Sequence, residues 1–404
     1  MNRFIRPRNR PRLFYLSATG SWFAAHGIQT VMFAWLVAIV LQKPPELVGW
    51  AQFALFLPAT LLMLIGGSLA DRWDARRVSV IAQFLAVIPP LLLTVTLITG
   101  TLNFVMMLVY AACIGTIQAF VTPARDAILN KVARGEIQQT VAKTTLVQFV
   151  SQMGGIVLAG SAQLIGGAPV LLSQAVVLSL GALSLGQLRI RGQNEEKHKT
   201  KLLDDLWSGI ANGWKAVFGD PVMRAVVLQN MAMGVCFMGS YIVTIPLVIR
   251  DVYGGSSMDI AIVNFVNSSG LVLTVTVLIT VLGKLRKPGR ALINFVVGGG
   301  LVLGLCGLVK NFYIFAGLLF GWGMAGGIVI SMSRALVQER APEAVRGRIM
   351  GIFSFSFMGS APVGAVIWGY TIAVVGSRVA LVIAGLSMLV IGLCVGRWSK
   401  LWQV

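Results

Sequence analysis

The sequence has few charged residues, few acids, and very little histidine or cysteine. Only 12% of its 404 residues are charged and 56% are hydrophobic, whereas a soluble domain has about 25% charged residues. This composition excludes an ordinary soluble protein. The two histidines and four cysteines show no metal-binding or redox spacing, and the cysteines lie in apolar runs as small buried side chains do. A metal centre, a cofactor site and an intramembrane enzyme are therefore not expected, and we predict that the protein is not an enzyme.

Long apolar segments are what the sequence does contain. A transmembrane helix needs roughly 20 apolar residues, and twelve segments of suitable length are predicted. The first follows five arginines and is too long for a signal-peptide core, so we interpret it as a retained helix. The predicted segments are 13–41, 47–70, 78–100, 102–122, 141–166, 168–188, 222–249, 260–283, 291–309, 312–333, 349–370 and 376–396.

A polar stretch divides these segments into two sets of six. We therefore predict an N-terminal six-helix bundle at 1–188, a linker at 189–221 and a C-terminal six-helix bundle at 222–404. Two short stretches recur about two hundred residues apart. Residues 127–133 resemble residues 335–341, and the turn at 67–78 resembles the turn at 283–290. Parallel repeats are expected to be related by an axis along the membrane normal.

The lysines and arginines predict the orientation. With the N-terminus in the cytoplasm, all but four of the 33 basic residues fall in the N-terminal arm, the inner loops, the linker and the C-terminal end. One of these basic inner segments is 125–143. Positive charge concentrates on the cytoplasmic side of membrane proteins, so both termini are predicted to be cytoplasmic. The predicted location of the protein is the inner membrane. The net charge of +19 is thereby explained without a nucleic-acid partner.

The turn between segments two and three resembles the signature loop of the major facilitator superfamily. The matching residues are Gly67-x-Leu69-Ala70-Asp71-Arg72-x-x-x-Arg76-Arg77, and the sequence departs from the family pattern at Asp74, where a second glycine is frequent. The segment Arg334–Met350 resembles the loop between helices ten and eleven in the efflux branch that contains siderophore exporters and macrolide pumps. Its matching residues are Arg340-Ala341-Pro342-Glu343-x-x-Arg346-Gly347-Arg348.

The resemblance implies an all-α membrane fold of twelve transmembrane helices in two pseudo-symmetric six-helix bundles. It also implies alternating access, in which the bundles rock about a central site, with Asp71 helping to latch the cytoplasmic side. The competing interpretation is a basic loop that only sets the orientation of the protein. We assign the latch to residues of the two loops, namely Gly67, Asp71, Arg72, Arg76, Arg77, Arg346 and Arg348.

Most polar side chains deep in the segments are uncharged, and such groups face the interior rather than lipid. The resemblance implies that helices one, four and seven line the cavity. The competing role is hydrogen bonding between helices, worth about 0.6 kcal/mol each. The candidates for cargo binding are His26, Gln29, Gln118, Gln148, Gln152, Gln229, Asn230 and Asn264. Aromatic residues expected near them are Trp22, Phe23, Trp35 and Trp322.

No acidic residue falls near the middle of a predicted segment, although proton-coupled transporters commonly use one there. The candidates for proton coupling are therefore His26, Asp126 and Glu339. Helix five also lacks the Gly-Pro-rich pattern typical of antiporters in the family. We predict a monomeric secondary transporter that exports an amphipathic cargo, siderophore-like or drug-like, with membrane lipid as its surroundings. The alternatives are a lipid or lysolipid flippase of the same fold, and an importer.

Overall fold

Long helices make up almost all of the structure, a computed structural model that describes residues 10–72, 74–133, 137–188, 202–283 and 285–404. Side chains are described in these ranges except at 10, 63–72, 130, 137–138, 202–210, 282 and 344. The described residues contain no β-strand. The all-α fold predicted from the apolar segments is confirmed.

Six long helices precede the linker. Helix α1 runs from Arg10 to Trp35 and continues as a π-helical turn, Leu36–Val40. Helix α3 is interrupted just before Pro89 and Pro90, because a proline cannot donate to the preceding turn. The other bounds are α2 Pro45–Arg72, α3 Ala75–Leu85 and Ile88–Ile98, α4 Phe104–Ala133, α5 Ile137–Gly160, and α6 Gly167–Gly186, which is preceded by the short turn Ala162–Ile165.

The second set follows a helix in the linker, Leu202–Gly219, which the polar composition of that stretch did not predict. Helix α7 contains a π-helical turn, and α11 is interrupted before Pro362. The bounds are α7 Pro221–Met233, Gly234–Met238 and Gly239–Asp251, α8 Ser257–Val277 and Leu278–Leu282, α9 Pro288–Cys306, α10 Phe312–Arg340, α11 Arg346–Met358 and Ala361–Val375, and α12 Ser377–Trp398, followed by the 3-10 turn Lys400–Gln403.

Eleven of these helices, among the described residues, are long and apolar enough to cross a membrane. The exception is α5, a continuous helix of 24 residues. Its first half carries Gln138, Gln139, Lys143 and three threonines, which lower its mean hydropathy. The predicted segment 141–166 therefore corresponds to a real helix that begins four residues earlier and ends six residues earlier.

The chain forms two units, and each contains parts of one long helix from the other set. Unit 1 comprises Met1–Leu41, Ala54–Lys199 and Ser256–Ala261, and unit 2 comprises Gln42–Phe53, Thr200–Gly255 and Ile262–Val404. Within unit 2, the Nε2 atom of Gln52 donates to the Ile242 carbonyl oxygen at 3.1 Å. Within unit 1, the hydroxyl of Ser257 donates to the Gly160 carbonyl oxygen at 2.9 Å. The division of α2 and α8 between the two units was not predicted from the sequence.

Glycine allows the same close helix contacts in both units. A Cβ atom on Gly155 of α5 would lie less than 3.0 Å from the Ala24 carbonyl oxygen of α1, and one on Gly364 of α11 would meet Val235 of α7 equally closely. Gly115 of α4 and Gly323 of α10 approach α2 and α8 in the same way. Because glycine has no side chain, the backbones of these pairs can touch.

The helix ends are joined by different chemistry at equivalent places. In unit 1, the Nη2 atom of Arg12 at the start of α1 donates to the Ala133 carbonyl oxygen at the end of α4, at 2.7 Å. In unit 2, Asp220 before α7 pairs with Arg340 at the end of α10, at 3.3 Å. Both contacts bind the first helix of a unit to its fourth. The first and fourth helices are thus paired in both units, by different side chains.

Candidate functional site

Arg125 is a buried cationic side chain in unit 1. Helix α4 continues through Pro123 to Ala133, so Arg125 lies two turns before the helix end and is only 5% exposed. Its guanidinium carbon lies 4.9 Å from the ring centre of Phe23 and 5.6 Å from that of Trp22, both on α1. These distances are within the range of cation–π attraction. Its Nη1 atom is buried and has no hydrogen-bond partner among the described residues.

The sequence did not predict this placement. Residue 125 was counted with the basic loop 125–143, because it follows directly after an apolar segment that was predicted to end at 122. Helix α4 instead continues past residue 122, so that Arg125 lies beside α1. The hydroxyl of Tyr15 on α1 donates to the Arg125 backbone carbonyl oxygen at 3.4 Å. A signal was present in the sequence, since Trp22 and Phe23 supply two adjacent aromatic rings on α1.

His26 and Gln29 lie one turn further along α1. The His26 ring is partly buried and packs edge-on against Phe23, with 6.5 Å between ring centres. Gln29 is buried. Together with Trp22 and Gln174 they line a small cavity of about 10 Å³, which is near the minimum for a single water molecule. Two residues predicted to bind cargo therefore share one polar pocket in unit 1.

A second polar contact connects three helices of unit 1. The Nε2 atom of Gln174 on α6 donates to the Ala25 carbonyl oxygen on α1 and to the Tyr110 hydroxyl on α4, both at 3.3 Å. The Tyr110 ring stacks on Phe33, with 6.1 Å between centres. Sequence reasoning missed Gln174 and Tyr110, because each is a single polar residue in an apolar segment and only the packing brings them together.

Unit 2 contains an aromatic–amide cluster, which we define as Phe237, Tyr241, Asn264 and Trp322. The Tyr241 and Trp322 rings are stacked, with 5.1 Å between centres and 16° between planes. Phe237 meets Trp322 edge-on at 5.2 Å. The Tyr241 hydroxyl donates to the Asn264 side-chain oxygen at 3.1 Å. Helices α7, α8 and α10 therefore bring flat aromatic surfaces and an amide to one place, and the π-helical turn of α7 carries Phe237.

The remaining cargo candidates are less concentrated. Gln229 and Asn230 on α7 are buried, and neither polar atom of the Gln229 side chain has a partner among the described residues. Gln118 on α4 is partly buried, as are Gln148 and Gln152 on α5. The Gln152 backbone lies against Gly27 at the contact of α1 and α5. Trp35 packs against Gly167 at the start of α6.

The two carboxylates considered for proton coupling are exposed. Asp126 lies near the end of α4, and Glu339 lies one residue before the end of α10. In the part of the chain with described side chains, no aspartate or glutamate is buried. The only described cationic side chain in the buried set is Arg125.

The latch residues are only partly described. Gly67, Asp71 and Arg72 are described only as part of the α2 backbone, and the side chains of Asp71 and Arg72 lie outside the described residues. Asp74 caps the start of α3 by accepting from the Arg76 amide at 3.0 Å, and it pairs with the exposed Arg77 at 3.8 Å. The Arg76 side chain donates to the Leu185 carbonyl oxygen at 3.1 Å and to that of Gly186, at the end of α6. Arg76 thus stabilises a helix end within unit 1.

The equivalent loop of unit 2 behaves in the same way. The Nε atom of Arg290 donates to the Trp402 carbonyl oxygen at 2.8 Å, after the end of α12. Arg346 donates to the Ala341 carbonyl oxygen at 3.3 Å within its own loop, and Arg348 is exposed. Near it, Gly213 of the linker helix lies against Ile352 of α11.

Comparison with known proteins identifies the family. The model of the Major Facilitator Superfamily matches residues 15–365. The chain belongs to the Major Facilitator Superfamily. The family consists of transporters rather than enzymes, and alternating access is characteristic of its fold. The predictions of the superfamily, of a transporter and of a non-enzyme are confirmed.

Two relatives match over nearly the whole length of this chain. It is 24% identical over 424 residues to the multidrug efflux pump Tap of Mycobacterium bovis, covering 99% of this chain and 96% of the relative. It is also 24% identical over 398 residues to the Tap pump of Mycolicibacterium fortuitum, covering 95% and 94%.

Solved structures resemble the fold at lower identity. The nucleoside transporter NupG superposes with a TM-score of 0.75 at 10% identity, covering 99% of this chain and 100% of that one. A bacterial homologue of the human lysosomal transporter Spinster, in an inward-facing and unoccupied conformation, gives a TM-score of 0.72 at 14% identity, covering 98% of both chains. At these identities the similarity establishes the fold alone.

Proposed function

We propose that the protein exports amphipathic small molecules from the cytoplasm by alternating access. The single observation that carries the proposal is the aromatic–amide cluster of unit 2, where the stacked Tyr241 and Trp322 rings lie beside Asn264. Pockets for drug-sized ligands are mostly apolar and aromatic, with a few polar groups that orient the ligand. The full-length similarity to pumps named for multidrug efflux supports export over import.

The cargo proposed here is drug-like or siderophore-like. Aromatic faces bind planar apolar groups, and the neighbouring amide offers both a donor and an acceptor. No described carboxylate is buried, so an anchor for a cationic drug is not supported. The cargo-binding role is proposed for the same eight residues that the sequence indicated, with Tyr241 and Trp322 added.

Coupling to protons is also part of the proposal. His26 lies beside the small polar cavity in unit 1, and Asp126 and Glu339 lie near the ends of α4 and α10. We propose these three residues as proton carriers and place both termini in the cytoplasm. The cytoplasmic latch, including Asp71, Arg346 and Arg348, belongs to the same mechanism.

The test is transport into inverted membrane vesicles, with and without a pH gradient, using siderophores, macrolides and lysolipids. We expect uptake of an amphipathic siderophore or macrolide that increases when the vesicle interior is acidic. Trp322→Ala should raise KM about tenfold, because a stacking surface contributes on the order of 1 kcal/mol beyond its buried area. Trp398→Ala is the matched control, since Trp398 is 80% exposed on α12 and should leave KM unchanged.

A lysolipid is the second candidate cargo, and one observation favours it. An open groove of about 740 Å³ on unit 1 runs between α1, α5 and α6, and its lining is mostly apolar, including Leu13, Leu16, Ile28 and Leu158. Preferential movement of lysolipid, with no transport of siderophores or macrolides, would replace the small-molecule proposal. Uptake into right-side-out vesicles alone would identify an importer.

A further inference from the structure

The buried arginine of unit 1 is not required by the helix packing. The recurring stretches 127–133 and 335–341 align the sequence of α4 with that of α10. In this alignment Ser333 occupies the position equivalent to Arg125. Both helices make the same close glycine contact, at Gly115 and Gly323. Ser333 is buried and neutral. The same helix turn therefore packs in unit 2 without a buried guanidinium, since its arginine, Arg334, is exposed. Among the described side chains, a buried cation occurs only in unit 1.

The cation is also incompletely satisfied. A charged group inside the membrane is costly and is normally paired. The rings of Trp22 and Phe23 provide cation–π attraction, but they accept no conventional hydrogen bond from Nη1. Asp126, the next residue along the chain, interacts electrostatically with the Arg125 charge, but its side chain is exposed and it accepts no hydrogen bond from Nη1. The Tyr15 hydroxyl contacts the Arg125 backbone carbonyl rather than the guanidinium.

We propose that Arg125 binds the anionic group of the cargo, while Trp22 and Phe23 contact its apolar part. The inference rests on the proposed function and names the substrate class, which is an amphipathic organic anion with a carboxylate or a similar group. A guanidinium donates two parallel hydrogen bonds to a carboxylate, and such charge-assisted bonds are about twice as strong as neutral ones. The unpartnered Nη1 atom supplies one of these donors.

The test uses a matched pair of probes, 1-pyrenebutyrate and its neutral amide. The two have the same aromatic body and differ only in the charged group. Binding is measured by energy transfer from tryptophan to pyrene, with the purified full chain in phosphatidylcholine nanodiscs and empty nanodiscs subtracted. The variants are Arg125→Gln, Arg125→Lys and, as the control, Arg334→Gln. Arg334 is exposed on α10, one residue after the position equivalent to Arg125.

We expect the wild type to bind the carboxylate at least about tenfold more tightly than the amide, as charge-assisted hydrogen bonds predict. Arg125→Gln should remove this preference and leave the Kd of the amide unchanged. Arg125→Lys should retain part of it, because lysine is a cation without the planar pair of donors. Arg334→Gln should retain all of it.

Two results would overturn the inference. One is a wild type that binds both probes equally, and the other is an Arg125→Gln variant that keeps the preference or loses both probes together with its melting temperature. Export of the two probes from proteoliposomes separates this inference from the proposed function. Export of both without preference leaves the exporter intact and rejects the anion site. Preferential anion binding without export of any cargo rejects the exporter and keeps the site.

Discussion

Whether a position on a helix requires glycine depends on the helix that packs against it. Gly154 and Gly155 are neighbours on α5 and look equivalent in the sequence. A Cβ atom on Gly155 would meet the Ala24 backbone at less than 3.0 Å, whereas one on Gly154 would meet nothing within 4 Å. Only the second glycine of the pair is therefore needed for the close contact of α1 and α5.

Gly155→Ala and Gly154→Ala should change stability in opposite directions. The added methyl at 155 forces two backbones apart, and overpacking of this kind costs about 1–3 kcal/mol. The added methyl at 154 is free of contacts, and alanine favours a helix over glycine by about 0.5–1 kcal/mol. Thermal unfolding of the two variants in detergent measures the difference. Equal melting temperatures for both variants would show that the helices do not touch at Gly155.

At the scale of whole helices, the ends are stabilised by specific caps. Helix α7 begins after Asp220, whose Oδ1 atom accepts from the Val222 and Met223 amides, both at 2.8 Å. Its other oxygen pairs with Arg340 of α10. One carboxylate therefore starts α7 and binds it to α10. Two arginines stabilise other helix ends. Arg76 donates to a carbonyl oxygen at the end of α6, and Arg290 donates to the Trp402 carbonyl oxygen in the C-terminal turn.

The two functions of Asp220 can be separated by substitution. Asp220→Ala removes both, and loss of an N-cap costs about 0.5–2 kcal/mol. Asp220→Asn keeps the cap and loses the ion pair, which at a partly exposed site is worth about 0–1 kcal/mol. Arg340→Gln removes the ion pair alone. We expect the alanine variant to be the least stable, with faster amide exchange at residues 222–224. A glutamine variant as unstable as the alanine variant would contradict this order.

For the molecule as a whole, the loop after α2 is the place where a single charge is expected to control transport. Asp71 lies in the last turn of α2, where this loop begins, and Asp74 follows three residues later. Asp74 already caps α3, and asparagine caps a helix about as well as aspartate. Each change to asparagine removes one negative charge, so both alter the loop charge, and hence the orientation signal, equally.

Asp71→Asn should therefore reduce the transport rate at least about tenfold, while Asp74→Asn should leave it close to that of the wild type. The reason is that only Asp71 is proposed to latch the protein during alternating access, whereas the capping bond of Asp74 survives the substitution. Expression and membrane insertion of both variants are measured alongside transport. Wild-type transport by Asp71→Asn, or an equal loss in both variants, would remove the latch from the proposed mechanism.

Several features could be predicted because they depend on local sequence. The length of an apolar run indicates a transmembrane helix without reference to any other helix, and the predicted segments correspond to α1–α12. The boundaries were less accurate where polar residues continue a helix, as at the end of α4 and the start of α5. The helix at Leu202–Gly219 was missed because its surroundings are polar.

The sites were less predictable because they depend on contacts between distant segments. Trp22, Phe23 and Trp322 were expected to be near the cargo from their residue types alone. The pairing of Tyr241 with Trp322, and of Gln174 with Tyr110, joins residues about 80 and 64 positions apart. Hydropathy reports whether a residue is polar but gives no information about the residue that it meets.

The sequence by itself determined that this is a helical membrane protein of the Major Facilitator Superfamily, because apolar length and the signature after α2 are local patterns. Only the tertiary structure decided that Arg125 is buried against the rings of Trp22 and Phe23. The physical reason is that a guanidinium at the end of an apolar run can lie in water or against a neighbouring helix. The partner available on α1 decides between the two.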